Sequence, residues 1–120
     1  MDDMTRRAVA YIAGIAISGK NSSAVYDYCN SRHFIFSGSF SSSQVSAYDY
    51  DARCHVSGSK SSSSFALYHY GNRRHINLSI DRAAFQGYDY ASRAHFSGTV
   101  NGHSVSLYDY QKCRHFNYTV

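Results

Sequence analysis

The stretch His95-Phe96-Ser97-Gly98-Thr99-Val100-Asn101-Gly102-His103-Ser104-Val105-Ser106-Leu107-Tyr108-Asp109-Tyr110 decides the fold. Two runs that alternate apolar and polar residues flank Asn101-Gly102. A period of two marks a strand with one buried face, and Asn-Gly between two such runs is the strongest short hairpin signal. Folding back across that dipeptide sets Val100 against His103, Gly98 against Val105 and Phe96 against Leu107. The other face then holds Thr99 with Ser104, Ser97 with Ser106, and His95 with Tyr108. One face is apolar; the other is polar and aromatic.

The end of this stretch is a phrase that the chain repeats. Tyr26-Asp27-Tyr28 leads to His33, Tyr48-Asp49-Tyr50 to His55, and Tyr68-His69-Tyr70 to His75. Tyr88-Asp89-Tyr90 leads to His95, and Tyr108-Asp109-Tyr110 to His115. The first step is 22 residues and the next three are 20, a fixed period that marks a repeat architecture. A four-residue link, Gln111 to Arg114, sets Tyr110 opposite His115, Asp109 opposite Phe116 and Tyr108 opposite Asn117. Both connections send the same residues to the same faces, as a definite register requires.

Carried through the chain, the apolar face collects Phe34, Phe36, Val45, Ala47, Val56, Phe65, Leu67, Ile76, Leu78, Ile80 and Phe85, then Phe96, Val100, Val105, Leu107, Phe116, Tyr118 and Val120. Tight turns are expected near Ser61-Ser62, Asp81-Arg82 and Asn101-Gly102, with a longer loop around Ser39 to Ser43. Residues 1–120 read as one domain: a degenerate first repeat over 8–28, repeats over 33–50, 55–70, 75–90 and 95–110, and a terminal half-repeat over 115–120. The opening Tyr11 to Ile17 can be laid on His95 to Val100 as an atypical capping strand, as terminal repeats often are. The capping strand is the preferred reading; the Ala-rich composition makes a helix from Thr5 to Ile17 the alternative.

The fold class is therefore all-β: an antiparallel hairpin meander of about ten or eleven short strands, closed or nearly closed as an up-and-down barrel. The register steps two residues per strand pair, with His95 opposite Tyr90 on one side and Tyr108 on the other, so the shear is about ten. A two-strand-per-coil β-solenoid is the rival. It would stack Asp109 on Asp89 and Asp49 near Asp27, with like charges facing. The period of about 20 with aromatic hairpins resembles MORN and choline-binding repeats in style, but their Gly and Trp patterns are missing, so no function carries over.

Composition narrows the function classes. The formal charge is +4 with a sequence pI near 9.0, but the Arg residues are spread through the repeats beside an Asp column, so nucleic acid is not the expected partner. The three cysteines, Cys29, Cys54 and Cys113, have no CxxC spacing; a reducing, cytoplasmic setting with no disulfide framework is expected. Arg6-Arg7 before the apolar run Ala8 to Ile17 looks like a short signal peptide, but the run is too short to span a bilayer.

Equivalent His residues of a meander lie two strands apart, about 10 Å, which is too far to share a metal ion. No nucleophile motif, phosphate loop or dinucleotide fingerprint is present; no cofactor and no catalysis are expected. The candidate surface is the aromatic lattice itself: Tyr26, Tyr28, Tyr48, Tyr50, Tyr68, Tyr70, Tyr88, Tyr90, Tyr108 and Tyr110, with His33, His55, His75, His95 and His115. It suits a non-catalytic binding or self-assembly module, because Tyr offers a flat apolar body with a polar tip. Three partners fit that expectation: a second copy joined through the terminal strands, a small apolar ligand inside the barrel, or a carbohydrate on the outer Tyr rows.

Overall fold

The computed structural model describes residues 1–120. One helix, α1 (Asp3–Ser18), precedes ten strands. They are β1 (Ala24–Asp27), β2 (Arg32–Phe40), β3 (Gln44–Asp49), β4 (Cys54–Ser61) and β5 (Ser64–His69), followed by β6 (Arg74–Asp81), β7 (Ala84–Asp89), β8 (Ala94–Asn101), β9 (Ser104–Asp109) and β10 (Arg114–Thr119). Consecutive strands pair antiparallel, and β1 pairs with β10, so the sheet closes as an up-and-down barrel. The expected meander and its closure are both present. The terminal segments, which an open barrel would offer as apolar edges to a second copy, are engaged: Tyr11 to Ile17 lies in α1, and β10 is bonded to β1, with Tyr26 facing Thr119 and Asp27 facing Tyr118.

The faces hold but the register differs. Val100 pairs with Val105, Gly98 with Leu107 and Phe96 with Asp109, while His115 pairs with Tyr108 and Phe116 with Leu107. Each pairing is displaced by an even number of residues from the expected one, which keeps every side chain on its assigned face. The tight turns therefore centre one residue later, on Ser62-Ser63, Arg82-Ala83 and Gly102-His103. The first residue of each has positive φ (57°, 58° and 60°) and the second does not, the pattern of a type II′ turn and not the type I′ turn that Asn-Gly suggests.

His95 now lies opposite Tyr88, and its carbonyl accepts the Tyr110 N–H at 3.3 Å. The stagger is thus two residues as expected but opposite in sense. The twist of L-residue strands permits only one sense of coiling when a sheet closes.

The opening segment is a helix, not a capping strand. Asp2 caps its start, accepting the Thr5 N–H at 2.8 Å, and Gly19, at φ 71°, caps its end by donating to the Ile15 carbonyl at 2.8 Å. Between the caps, Ala8, Ala10, Ala13 and Ala16 favour helix. Every residue from Thr5 to Ile15 is buried, and from Ala8 onward the helix has no charged side chain on any face. A helix that is apolar all round must be enclosed, and here the barrel encloses it. Ten strands about 4.8 Å apart give a radius of about 8 Å before tilt, and tilt widens that to about 10 Å, the spacing of packed layers. One helix fills such a ring.

The filling is tight. Val9, Ile12 and Ile15 meet the inward residues of the wall in a single core. Tyr11 stacks on Phe36 at 4.7 Å and its hydroxyl donates to the Ser22 carbonyl at 2.7 Å. Ser23 accepts the Phe36 N–H at 3.0 Å, so the residues after Gly19 complete the wall between β2 and the short β1. At Gly98 a Cβ would strike the Ser106 carbonyl and the Phe85 ring. Glycine there lets the aromatic residues of β7 and β8 fold inward.

Candidate functional site

The repeated phrase divides between two surfaces, as its alternation requires. Its Asp lies inside the barrel and its two Tyr residues lie outside.

On the outside, each repeat builds the same cluster. The first Tyr of the phrase and the following His are cross-strand partners, as in Tyr48 with His55, Tyr68 with His75, Tyr88 with His95 and Tyr108 with His115. Tyr26 pairs likewise with His33. The rings meet edge to face at 4.7–4.9 Å. The second Tyr opens the loop and stands against the first, again edge to face, at 4.8–4.9 Å.

These outer rings are the most exposed large aromatics of the protein: Tyr28, Tyr50, Tyr70, Tyr90 and Tyr110 are 46–58% exposed. Hydroxyls of several are tied to the neighbouring strand, Tyr28 to Thr119 at 3.1 Å and Tyr90 to Asn77 at 3.2 Å. The clusters are thus held in place before any ligand arrives. All fifteen sequence-assigned Tyr and His residues lie on this outer wall, grouped as five local clusters and not as one convergent site.

Between the aromatic ridges the wall is floored by small polar residues. One groove of about 480 Å³ runs past Asn77, Ser79, Gln86, Tyr88, His95 and Tyr110. A second, of about 410 Å³, is lined by Asp81, Ser97, Thr99, Ser106, Tyr108 and His115. Both are shallow channels on the outside of the barrel, and the interior is filled by α1.

On the inside, the Asp column forms a ring at the mouth where α1 begins. Asp27, Asp49, Asp89 and Asp109 are 0–1% exposed, as is His69 in the fifth place. Each Asp has two tasks. One carboxylate oxygen accepts loop N–H groups: Asp49 from Asp51 and Ala52, both at 3.0 Å, and Asp109 from Gln111 at 3.0 Å and Lys112 at 3.3 Å. The other oxygen takes a second partner. Arg7 donates to Asp49 at 2.7 Å and Arg6 to Asp109 at 3.0 Å, while Asn30 serves Asp27 and Ser92 serves Asp89. The Met1 ammonium lies 3.2 Å from Asp109.

Burial would raise the Asp109 pKa, but the Met1 ammonium and Arg6 outweigh it and hold the carboxyl below its ordinary range. Burial likewise opposes the charge on Arg6, yet Tyr118, Asp109 and Asp3 leave its pKa raised.

The Asp column stands beside the loop arginines in sequence, but its partners are loop N–H groups and the helix. The loop bonds are present; the arginines come from the helix. In sequence Arg6-Arg7 resemble the start of a signal-like segment, which hides this role. A signal was available: four carboxylates on an apolar face require buried cations, and Arg6-Arg7 are the cations carried by the apolar segment. His69 takes the fifth place in the ring as an acceptor. Its Nδ1 accepts the Asn72 N–H at 3.3 Å, reproducing the loop bond of the Asp residues. Its Nε2 is buried without a partner, and burial lowers its pKa. Asp2 sits beside it, at the helix start, where a fifth carboxylate would meet like charge.

Two Phe rings close the same mouth. Phe116 lies between Arg6, 3.8 Å from its centroid, and Arg114 at 4.6 Å. Phe34 lies between Arg7 at 4.0 Å and Arg32 at 4.3 Å. The three cysteines are free thiols on this end. Comparison with protein-family models, curated proteins and solved structures finds no significant match.

Proposed function

We propose that the protein is a non-catalytic carbohydrate-binding module that uses its outer wall. The observation that carries this reading is the pairing of exposed, fixed Tyr–Tyr–His clusters with adjoining grooves floored by Ser, Thr, Asn and Gln. A sugar ring has one apolar C–H face and a rim of hydroxyls. A tyrosine face meets the first, and small hydroxyl and amide side chains meet the second.

The rival partners have less to support them. A small apolar ligand needs interior space, which α1 occupies, and strand addition needs free edges, which β1 and β10 give to each other. The buried Asp ring is engaged in loop and helix contacts, which favours a structural role over acid–base chemistry.

A glycan array read with the intact chain tests the proposal. Binding to at least one oligosaccharide class is expected. Tyr90→Ala and Tyr110→Ala, both exposed and remote from the core, should each weaken it by about 1–3 kcal/mol if aromatic stacking carries the contact, while the fold survives with only the small loss of one edge-to-face pair, about 0.5–1.5 kcal/mol. An array without signal, or Tyr variants that bind as well as the parent, refutes it.

A further inference from the structure

The inward turn of the Asp column changes the charge of the surface. Of the twelve Lys and Arg residues, Arg6 and Arg7 are buried; of the eight acids, Asp27, Asp49, Asp89 and Asp109 are buried. Ten cations and four acids are left outside. They are unevenly placed. Arg32, Arg53, Arg73, Arg74, Arg93, Lys112 and Arg114 all lie in or beside the four-residue loops at the mouth where α1 begins. Arg32 bonds Asp51 at 2.9 Å, and the other six have no carboxylate partner within ion-pair distance. The Asp residues beside them in sequence are occupied from within.

Each loop also carries the exposed Tyr of its cluster. Tyr50 and Arg53 open and close one loop, as do Tyr70 and Arg73, and Tyr90 and Arg93. The three arginines share a left-handed backbone, φ 56–57°, so equivalent loops present cation and aromatic ring in the same relative position. Neighbouring loops lie two strands apart, about 10 Å, a step comparable to the length of a disaccharide.

We propose that the ligand of the outer wall is an acidic oligosaccharide, bearing a uronate or sulfate group at regular intervals, with its anionic groups on the arginine rim and its sugar rings against the tyrosines. This rests on the carbohydrate reading above and adds the charge class to it. Single-stranded nucleic acid shares the anionic repeat but is read by bases entering slots between splayed aromatics. Here the two tyrosines of each cluster touch edge to face at 4.8–4.9 Å, which leaves no slot between them for a base. The floor of the groove past Asn77, Ser79, Gln86 and Ser97 is neutral and suits sugar hydroxyls, while Asp81 lies at the far end of the other groove, away from the arginine rim.

The test is titration of the intact protein with hexagalacturonate, a heparin hexasaccharide, maltohexaose and dT12, at two salt concentrations. One or both acidic hexasaccharides should bind at least tenfold tighter than maltohexaose and dT12, and should weaken as salt rises. Arg53→Asn and Arg93→Asn, which suit the left-handed backbone, should together cost the acidic probe at least tenfold while melting as the parent does. Tyr90→Ala should weaken whichever hexasaccharide binds. Maltohexaose binding as tightly as the acidic probes, or affinity insensitive to salt and to the Arg variants, overturns the acidic class and leaves the carbohydrate reading standing. Tighter binding of dT12 overturns both in favour of nucleic acid, and no binding of any probe overturns both.

Discussion

His69 is the residue at which the repeat breaks its own rule, and its surroundings explain the break. In the four Asp positions the second oxygen meets a cation, an amide or a hydroxyl; at His69 the neighbour is Asp2. A neutral imidazole keeps the loop bond and avoids the repulsion. Because burial depresses its pKa, the unfolded chain binds this proton more readily than the folded one, so stability falls as pH drops below about 6.5. Asp109, also held low, adds a second loss only as pH falls below about 4. Chemical denaturation from pH 8 to 3 should resolve both phases, and His69→Asn should abolish the first. His69→Asp should destabilise the protein at neutral pH, with Asp2→Asn restoring much of the loss. Equal stability of His69→Asp and the parent would refute this account of the ring.

Removing Arg7 as Arg7→Met leaves Asp49 buried without its cation and should cost about 3–5 kcal/mol, whereas Arg7→Met with Asp49→Asn should recover most of it.

At the level of elements, the strands are legible in the sequence, whereas the helix is legible only as an alternative and its enclosure not at all. Phe96, Leu107 and Phe116 alternate with Ser97, Ser106 and Asn117, so any even register gives the same faces. Parity was therefore secure while the turn position was not. Asn101-Gly102 pointed to a turn one residue early, because closure of the whole ring and the loop hydrogen bonds of Asp109 outweigh a local dipeptide preference. The segment Ala8 to Ile17 carries no alternation that separates helix from strand. Its enclosure depends on ten strands that lie far from it in sequence, which no local pattern encodes. The outer Tyr–His clusters were legible because they are local and cross-strand; the charge of the rim was not, because it depends on which way the Asp column turns.

The same contacts set expectations for the elements. Gly14 faces Val120, and a Cβ there would sit 3.1 Å from the Val120 side chain. Gly14→Leu should therefore overpack the plug and cost about 1–3 kcal/mol, measured by urea denaturation. Gly98→Val should be worse, since the obstruction is the backbone carbonyl of Ser106 and cannot move aside. A Gly98→Val variant of parental stability would contradict the close approach of β8 and β9.

On the scale of the whole molecule, the wall is uniform except at one place. The seam between β1 and β10 holds two Cα pairs, whereas the pairings from β3 to β9 each hold six. Local opening follows the fewest bonds. Amide hydrogen exchange should be fastest in β1 and the facing edge of β10, and slowest in β5 to β8. Uniform protection around the ring would mean that the plug, and not the strand ladder, governs opening.

The enclosed helix also imposes an order of events. The plug is made first along the chain, but the ring around it closes only when residues 26 and 27 meet residues 118 and 119. An apolar helix of 16 residues is marginal alone in water. It must therefore wait, partly covered, while successive hairpins assemble against it. Contacts of such long sequence separation slow folding, and the hairpins from β3 to β9, whose partners are close in sequence, are the natural first structure. Refolding should then show strand signals before Tyr11 reaches its native environment against Phe36, with the barrel wrapping its plug in the final step.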